Sequence, residues 1–231
     1  MKVMILGKTG FIGQNLYNKM FNDGQEVIGC SRSTGVDMLV YEEIRDFIKD
    51  HQPGIIYNAA SHGGSMRYVR DYTANVLSDN LQMSLNLYKA VHELNPTIKI
   101  IQPFSNCSYP GDSSVQHEEN WLSGDVHKSV FSFGNSKRGI YYISKCYNDQ
   151  YGINTVNLLF PNTYGPGDSI DPNHTHALNG MIIRMLKAKR ATYSKHFLHA
   201  LMQKASWCTN TKGKVRMASS FLTSSFITKT S

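Results

Sequence analysis

The chain has 231 residues, 41% of them hydrophobic and 18% charged, with 18 Gly and 7 Pro. That balance fits a globular protein with one good core and a second small lobe, and no run of 18 apolar residues suggests a membrane span. The net charge of +7 is local: residues 172–231 hold ten Lys/Arg and no Asp or Glu, leaving 14 Lys/Arg against 17 Asp/Glu upstream. No nucleic-acid recognition motif or aromatic platform accompanies the basic stretch, so a nucleic-acid partner is not expected.

Residues 2–6 are a short apolar run ending at Gly7, as in a buried parallel strand. Gly7, Lys8 and Gly10 interrupt this run too early for a signal-peptide core, so a cytoplasmic protein is expected. A helical pattern over 12–21 closes at Asn22-Asp23-Gly24, and a second strand spans 26–30. Residues 41–50 have helical spacing, 54–57 read as a strand, and 72–94 as a long helix stopped by Asn95-Pro96. Strand 98–103, helix 135–151 and strand 155–160 follow, then one amphipathic helix over 176–190. Alternating strands and helices predict an α/β fold, a doubly wound parallel sheet of Rossmann type, with a short C-terminal substrate lobe. The expected boundaries are 1–165 for the dinucleotide-binding domain, 166–190 for the start of that lobe, and 191–231 for a basic, weakly ordered tail. Cys30, Cys107, Cys146 and Cys208 show no CxxC pair and no zinc-ligand spacing, which predicts free thiols and no metal.

Gly7-Lys8-Thr9-Gly10-Phe11-Ile12-Gly13 joins the first strand to the first helix. The first glycine permits a tight turn, the second lets backbone approach a pyrophosphate, and the third lets helix pack on strand. The second strand ends at Cys30-Ser31-Arg32-Ser33 without the carboxylate that would bind a ribose 2′-hydroxyl, and Arg32 suits a 2′-phosphate, so NADP is favoured over NAD.

The GxxGxxG spacing, with Tyr57-Asn58-Ala59-Ala60 and Tyr164-Gly165-Pro166-Gly167-Asp168, resembles the extended short-chain dehydrogenase/reductase family of nucleotide-sugar epimerases and dehydratases. Within it, Ser105-Asn106-Cys107-Ser108-Tyr109-Pro110, Pro161-Asn162-Thr163-Tyr164-Gly165-Pro166 and Thr175-His176-Ala177 are similar to the GDP-L-fucose synthase group. The resemblance implies NADP or NAD as cofactor, held by Gly7, Gly10, Phe11, Ile12 and Gly13, by Arg32 and Asp37, and by Ala59 and Lys137. It implies a nucleotide-sugar substrate carrying a 4-keto group, GDP-linked by preference. Ser105 would hydrogen-bond the sugar carbonyl, and Cys107 and His176 would exchange protons beside it. Lys137 would hold the nicotinamide ribose, and Asn162 and Arg184 would contact substrate, Arg184 near the diphosphate. A homodimer through the helices near 72–94 and 135–151 is implied as well. The residues alone also allow plainer roles: a packing thiol at Cys107, a helix-start histidine at His176, a surface arginine at Arg32.

Two departures stand out. The family's catalytic tyrosine lies four residues before the lysine, where the cation favours its phenolate. Counting back from Lys137 gives Phe133, which has no proton to give, whereas Tyr141-Tyr142-Ile143-Ser144-Lys145 satisfies YxxxK literally but leaves too little helix before the next strand. The Phe133/Lys137 register is therefore the expectation, and ketone reduction suffers more than isomerisation. The region after the sheet is also shorter than the substrate lobe of extended members. The alternative is a catalytically degenerate protein that binds cofactor or sugar without turnover.

Overall fold

The computed structural model describes residues 1–112, 115–171 and 173–190, with side chains as far as Lys187. The chain divides into two compact units, Met1–Asn162 and a second beginning at Thr163. The tail expected over 191–231, with Cys208, lies outside the described residues.

In the first unit, the strands are β1 (Val3–Leu6), β2 (Val27–Cys30), β3 (Ile55–Asn58), β4 (Lys99–Ser105) and β5 (Thr155–Phe160). They pair in parallel in the order β2-β1-β3-β4-β5. The linking helices are α1 (Phe11–Asn22), α2 (Tyr41–His51), α3 (Met66–Asp71), α4 (Thr73–Leu94) and α5 (Phe131–Tyr151). Chain order reverses between β1 and β3, so the crevice beyond their carboxyl ends is where a doubly wound sheet binds its ligand.

The apolar strand runs are buried because helices cover both faces. Met4, Leu6, Ile56 and Ile100 pack with Ile44 and Ile48 of α2 and with Leu87, Tyr88 and Val91 of α4. On the other face, Val3, Ile5 and Val27 meet Leu16, Tyr17 and Met20, which places α1 there. Each fully buried aliphatic side chain contributes about 1.5–3 kcal/mol. Asn86 of α4 donates Nδ2–H to the carbonyls of Met38 (2.8 Å) and Leu39 (3.0 Å), holding the loop after β2 against the helix. A third cluster, Phe104, Tyr109, Trp121 and Ile140, sits beneath the segment between β4 and α5.

Two elements differ from the sequence expectation. The short helix α3 was not expected; Gly63 and Gly64 precede it, and Val69 is its one buried residue, so no apolar period announces it. It starts because the Ser65 hydroxyl accepts from the N–H of Tyr68. Helix α5 begins at Phe131 rather than 135, so it includes Ser132 and Gly134. Gly134 is needed there: a Cβ would lie 2.4 Å from the carbonyl oxygen of Cys107. In the second unit, α6 (Ala177–Arg190) starts one residue after the expected position. No helix among the described residues is long and apolar enough to cross a membrane.

Candidate active site

The crevice between β1 and β3 is lined by backbone. Gly7 has φ +76°, and a Cβ on it would lie 2.6 Å from the nitrogen of Ala60; one on Gly13 would lie 2.1 Å from the oxygen of Gly7. Turn and helix therefore meet at a distance that only glycine allows, with the Ala59-Ala60 backbone packed on Gly7. Gly10 caps α1 without a side chain, so the first N–H groups of the helix, from Phe11 to Gly13, are left for an external acceptor. This arrangement fits a dinucleotide pyrophosphate.

At the tip of β2, side-chain hydroxyls converge. Thr9 Oγ1 lies 3.0 Å from both Ser31 Oγ and Ser33 Oγ, which are themselves 3.1 Å apart. Arg32 is exposed in the turn between them. The sequence reading singled out Arg32 and missed the hydroxyls, since serines in a turn are ordinary; only the fold brings Thr9, 22 residues away, onto Ser31. Asp37 lies further along this loop, where its carboxylate accepts from the N–H of Leu39 at 3.0 Å.

The carboxyl ends of β3 and β4 carry the polar chemistry. Ser105 Oγ accepts from the N–H of Cys107 at 3.2 Å, and Ser108 Oγ donates to the Ser105 carbonyl at 2.5 Å. The indole N–H of Trp121 donates to Ser108 at 2.7 Å, and Arg138 donates to the carbonyls of Ser108, Gly124 and Trp121. This bracing holds the Ser105–Cys107 turn in place, with Cys107 half-buried. Arg138 was not singled out by sequence, being one of many helix arginines.

Lys137 projects from α5 into the same edge. It is 5% exposed, and its Nζ donates to Ser61 Oγ at 3.0 Å while lying 5.1 Å from the centre of the Phe133 ring. Burial pulls its pKa down to about 8, and the neighbouring Cys107 acts the other way. Lys145, by contrast, is exposed and pairs with Asp149 at 2.8 Å, while Tyr141 packs on Trp121.

Behind Ser61 lies a network that sequence reasoning missed. The buried Asn80 of α4 accepts from Ser61 Oγ (3.0 Å) and from the N–H of His62 (2.9 Å) through Oδ1, and donates through Nδ2 to the carbonyls of His62 and Val76. The His62 ring bridges Asp79, 2.7 Å from Nδ1, and the Tyr68 hydroxyl, 2.9 Å from Nε2. Apart from His62–Tyr68 and Asn80–Val76, these contacts span 17 to 19 residues of chain, and no short motif encodes them.

Asn162 is exposed just beyond β5. In the second unit, His176 Nδ1 lies 3.0 Å from Asp168 Oδ1, with the histidine side chain 59% exposed and the aspartate 2%. Asp168 Oδ2 is buried and has no hydrogen-bond partner among the described residues. Arg184 is exposed on α6, its Nε–H reaching the Gly180 carbonyl at 3.3 Å.

A glycine loop on a parallel sheet, backed by a buried lysine, is a family-level signature, and a family model gives the same answer. Residues 3–209 match that of the NAD dependent epimerase/dehydratase family. The chain belongs to this family. A GDP-L-fucose synthase of Dictyostelium discoideum is 24% identical over 183 residues, 78% of this chain and 57% of that relative. A GDP-L-fucose synthetase of Naegleria fowleri solved with NADP superposes with a TM-score of 0.73 at 18% identity, covering 82% of this chain and 59% of the other. The Thermus thermophilus UDP-glucose 4-epimerase complex with NAD gives 0.65 at 20%, covering 79% and 61%. The chain thus spans about three-fifths of the length of these relatives.

Proposed function

We propose that the chain is an NAD(P)-binding nucleotide-sugar epimerase or epimerase/reductase acting on a 4-keto sugar, with a GDP-linked sugar preferred. The observation that carries this reading is Lys137, buried with its Nζ on Ser61, at the same sheet edge as the Ser105–Cys107 turn and the glycine loop. The relatives named as GDP-L-fucose synthases support the GDP preference. When bound, the nicotinamide would supply or accept hydride at the sugar's C4.

The chain's own residues do the rest. The α1 N-terminus and Gly7, Gly10 and Gly13 hold the pyrophosphate. Arg32, with the Thr9, Ser31 and Ser33 hydroxyls, receives a 2′-phosphate, which favours NADP, and Asp37 and Ala59 line the adenosine side. Lys137 positions the nicotinamide ribose. Ser105 donates to the ketone oxygen, Cys107 takes a proton from the adjacent carbon, and His176, oriented by Asp168, serves as the companion acid/base. Asn162 and Arg184 bind substrate. Leu85 of α4 and Tyr142 of α5 are 40% and 53% exposed, which suits a homodimer through these helices.

The reading is tested by incubating the protein with a GDP-linked 4-ketohexose in D2O and following deuterium uptake beside the ketone by NMR. Uptake that falls about a hundredfold or more in Cys107→Ala supports it, and no uptake by either the wild type or Phe133→Tyr overturns it. The degenerate reading, cofactor binding without turnover, is favoured by one observation: the residue over Lys137 is Phe133, which carries no hydroxyl.

A further inference from the structure

The acid-base chemistry of a 4-keto sugar needs a proton donor for the ketone oxygen, and Phe133 cannot be that donor. A phenol nevertheless stands close by. Gly63 touches the Phe133 ring, since a Cβ there would lie 3.0 Å from its Cε2. Ser132, the residue before Phe133, donates to the Val69 carbonyl at 3.4 Å and ties α3 to the first turn of α5. Tyr68 precedes Val69 on α3, and its hydroxyl lies 2.9 Å from His62 Nε2. His62 in turn is flanked by Ser61, which holds Lys137, and by Gly63, which holds Phe133.

The His62 ring is not required as a brace. Asn80 already fixes the Ser61–His62 segment with three hydrogen bonds, to the Ser61 hydroxyl and to the N–H and carbonyl of His62. An imidazole bridging a carboxylate and a phenol adds something different, a path along which a proton can move. Asp79 fixes the ring, and the His62 and Asp79 side chains, at 26% and 28% exposure, keep contact with solvent.

Resting on the epimerase reading above, we propose that the Tyr68 hydroxyl, backed by His62 and Asp79, is the proton donor to the ketone oxygen, in place of the hydroxyl missing at residue 133. As the base takes the proton from the carbon beside the ketone, that C–H pair becomes the C=C bond and the carbonyl π pair moves to oxygen. The oxygen takes the Tyr68 proton, and Tyr68 takes the Nε2 proton of protonated His62. His62 is left neutral, with its Nδ1–H on Asp79, and is recharged from water. Reversal returns the carbonyl and lets the carbon take its proton from either face.

The test is a double-mutant cycle on the full chain, read as cofactor-free deuterium uptake into a GDP-linked 4-ketohexose in D2O. Tyr68→Phe lowers uptake about a hundredfold or more. Adding Phe133→Tyr to that background restores most of the rate, by a factor about tenfold or more above its effect in the wild type, because two phenols serve one oxygen. If Tyr68→Phe does not fold, His62→Gln takes its place in the same cycle. Wild-type uptake in Tyr68→Phe, or an equal effect of Phe133→Tyr in both backgrounds, overturns the relay. So does a wild type without uptake, and then Phe133→Tyr separates the two ideas. Uptake by that variant keeps the epimerase reading and removes Tyr68, and its absence removes both.

Discussion

The two halves of α5 carry the same local pattern, an aromatic residue four before a lysine, and put it to opposite uses. In the first half, Phe133 and Lys137 face the sheet edge, and the ammonium is almost wholly removed from water. In the second, Tyr141 packs on Trp121 while Lys145 lies on the surface, 56% exposed and paired with Asp149. The half that satisfies YxxxK to the letter is therefore a surface ion pair, and the half that departs from it holds the perturbed cation. Burial and the neighbouring strand ends, not the spacing, distinguish the two lysines.

The largest way to sharpen this contrast is Lys137→Met. Burial holds the Lys137 pKa near about 8, below its ordinary value of 10.5. Below pH 8 both folded and unfolded chains carry the proton, and the folded state bears the full cost, on the order of 3 kcal/mol. Between about 8 and 10.5 the unfolded chain binds more protons, so wild-type stability rises with pH. Denaturant unfolding should find Lys137→Met the more stable protein at pH 7, with its lead shrinking as the pH climbs. A lead that is absent or independent of pH would mean that the cation is not desolvated.

A smaller effect is expected at Gly134, where a methyl group would collide with the Cys107 carbonyl, a backbone atom that cannot step aside. Gly134→Ala should cost about 1–3 kcal/mol despite the better helix propensity of alanine. At Gly139 the corresponding atom is the tip of Leu81, which can rotate away, so Gly139→Ala should cost less. Equal values from thermal melts would remove the special packing claimed for the first half.

Charge at the cofactor loop gives a third comparison. Arg32→Ala should weaken NADPH about tenfold and leave NADH nearly unchanged, as fluorescence titration would read. The smallest effect belongs to Lys145→Met: an exposed pair contributes little, and its denaturation midpoint should be indistinguishable from that of the wild type.

The sheet was legible because its strands are short apolar runs closed by glycine, proline or asparagine, and because the helices between them keep a regular apolar period. Helix α3 was not, since a hydroxyl cap and one buried valine leave no period to read. The glycine loop stood out because its spacing has a steric meaning at each position. The Ser61–Asn80 and Asp79–His62–Tyr68 contacts did not, because their partners come from separate elements. A polar residue on a helix reads as a solvated face until the neighbouring strand is in place, as Asn80 shows: it is buried and fully bonded.

The central claim, that the first turn of α1 and its glycine loop hold a dinucleotide, is tested most directly by calorimetric titration with NADPH and NADH of the wild type and of Gly10→Asp. A Cβ at Gly10 meets only the Gly7 oxygen, at 3.3 Å, so the variant should fold while placing a carboxylate where the pyrophosphate would rest. The account predicts binding in the micromolar range to the wild type, tighter for NADPH, and lost in Gly10→Asp. No binding of either nucleotide to the wild type, or equal binding to both proteins, would contradict it.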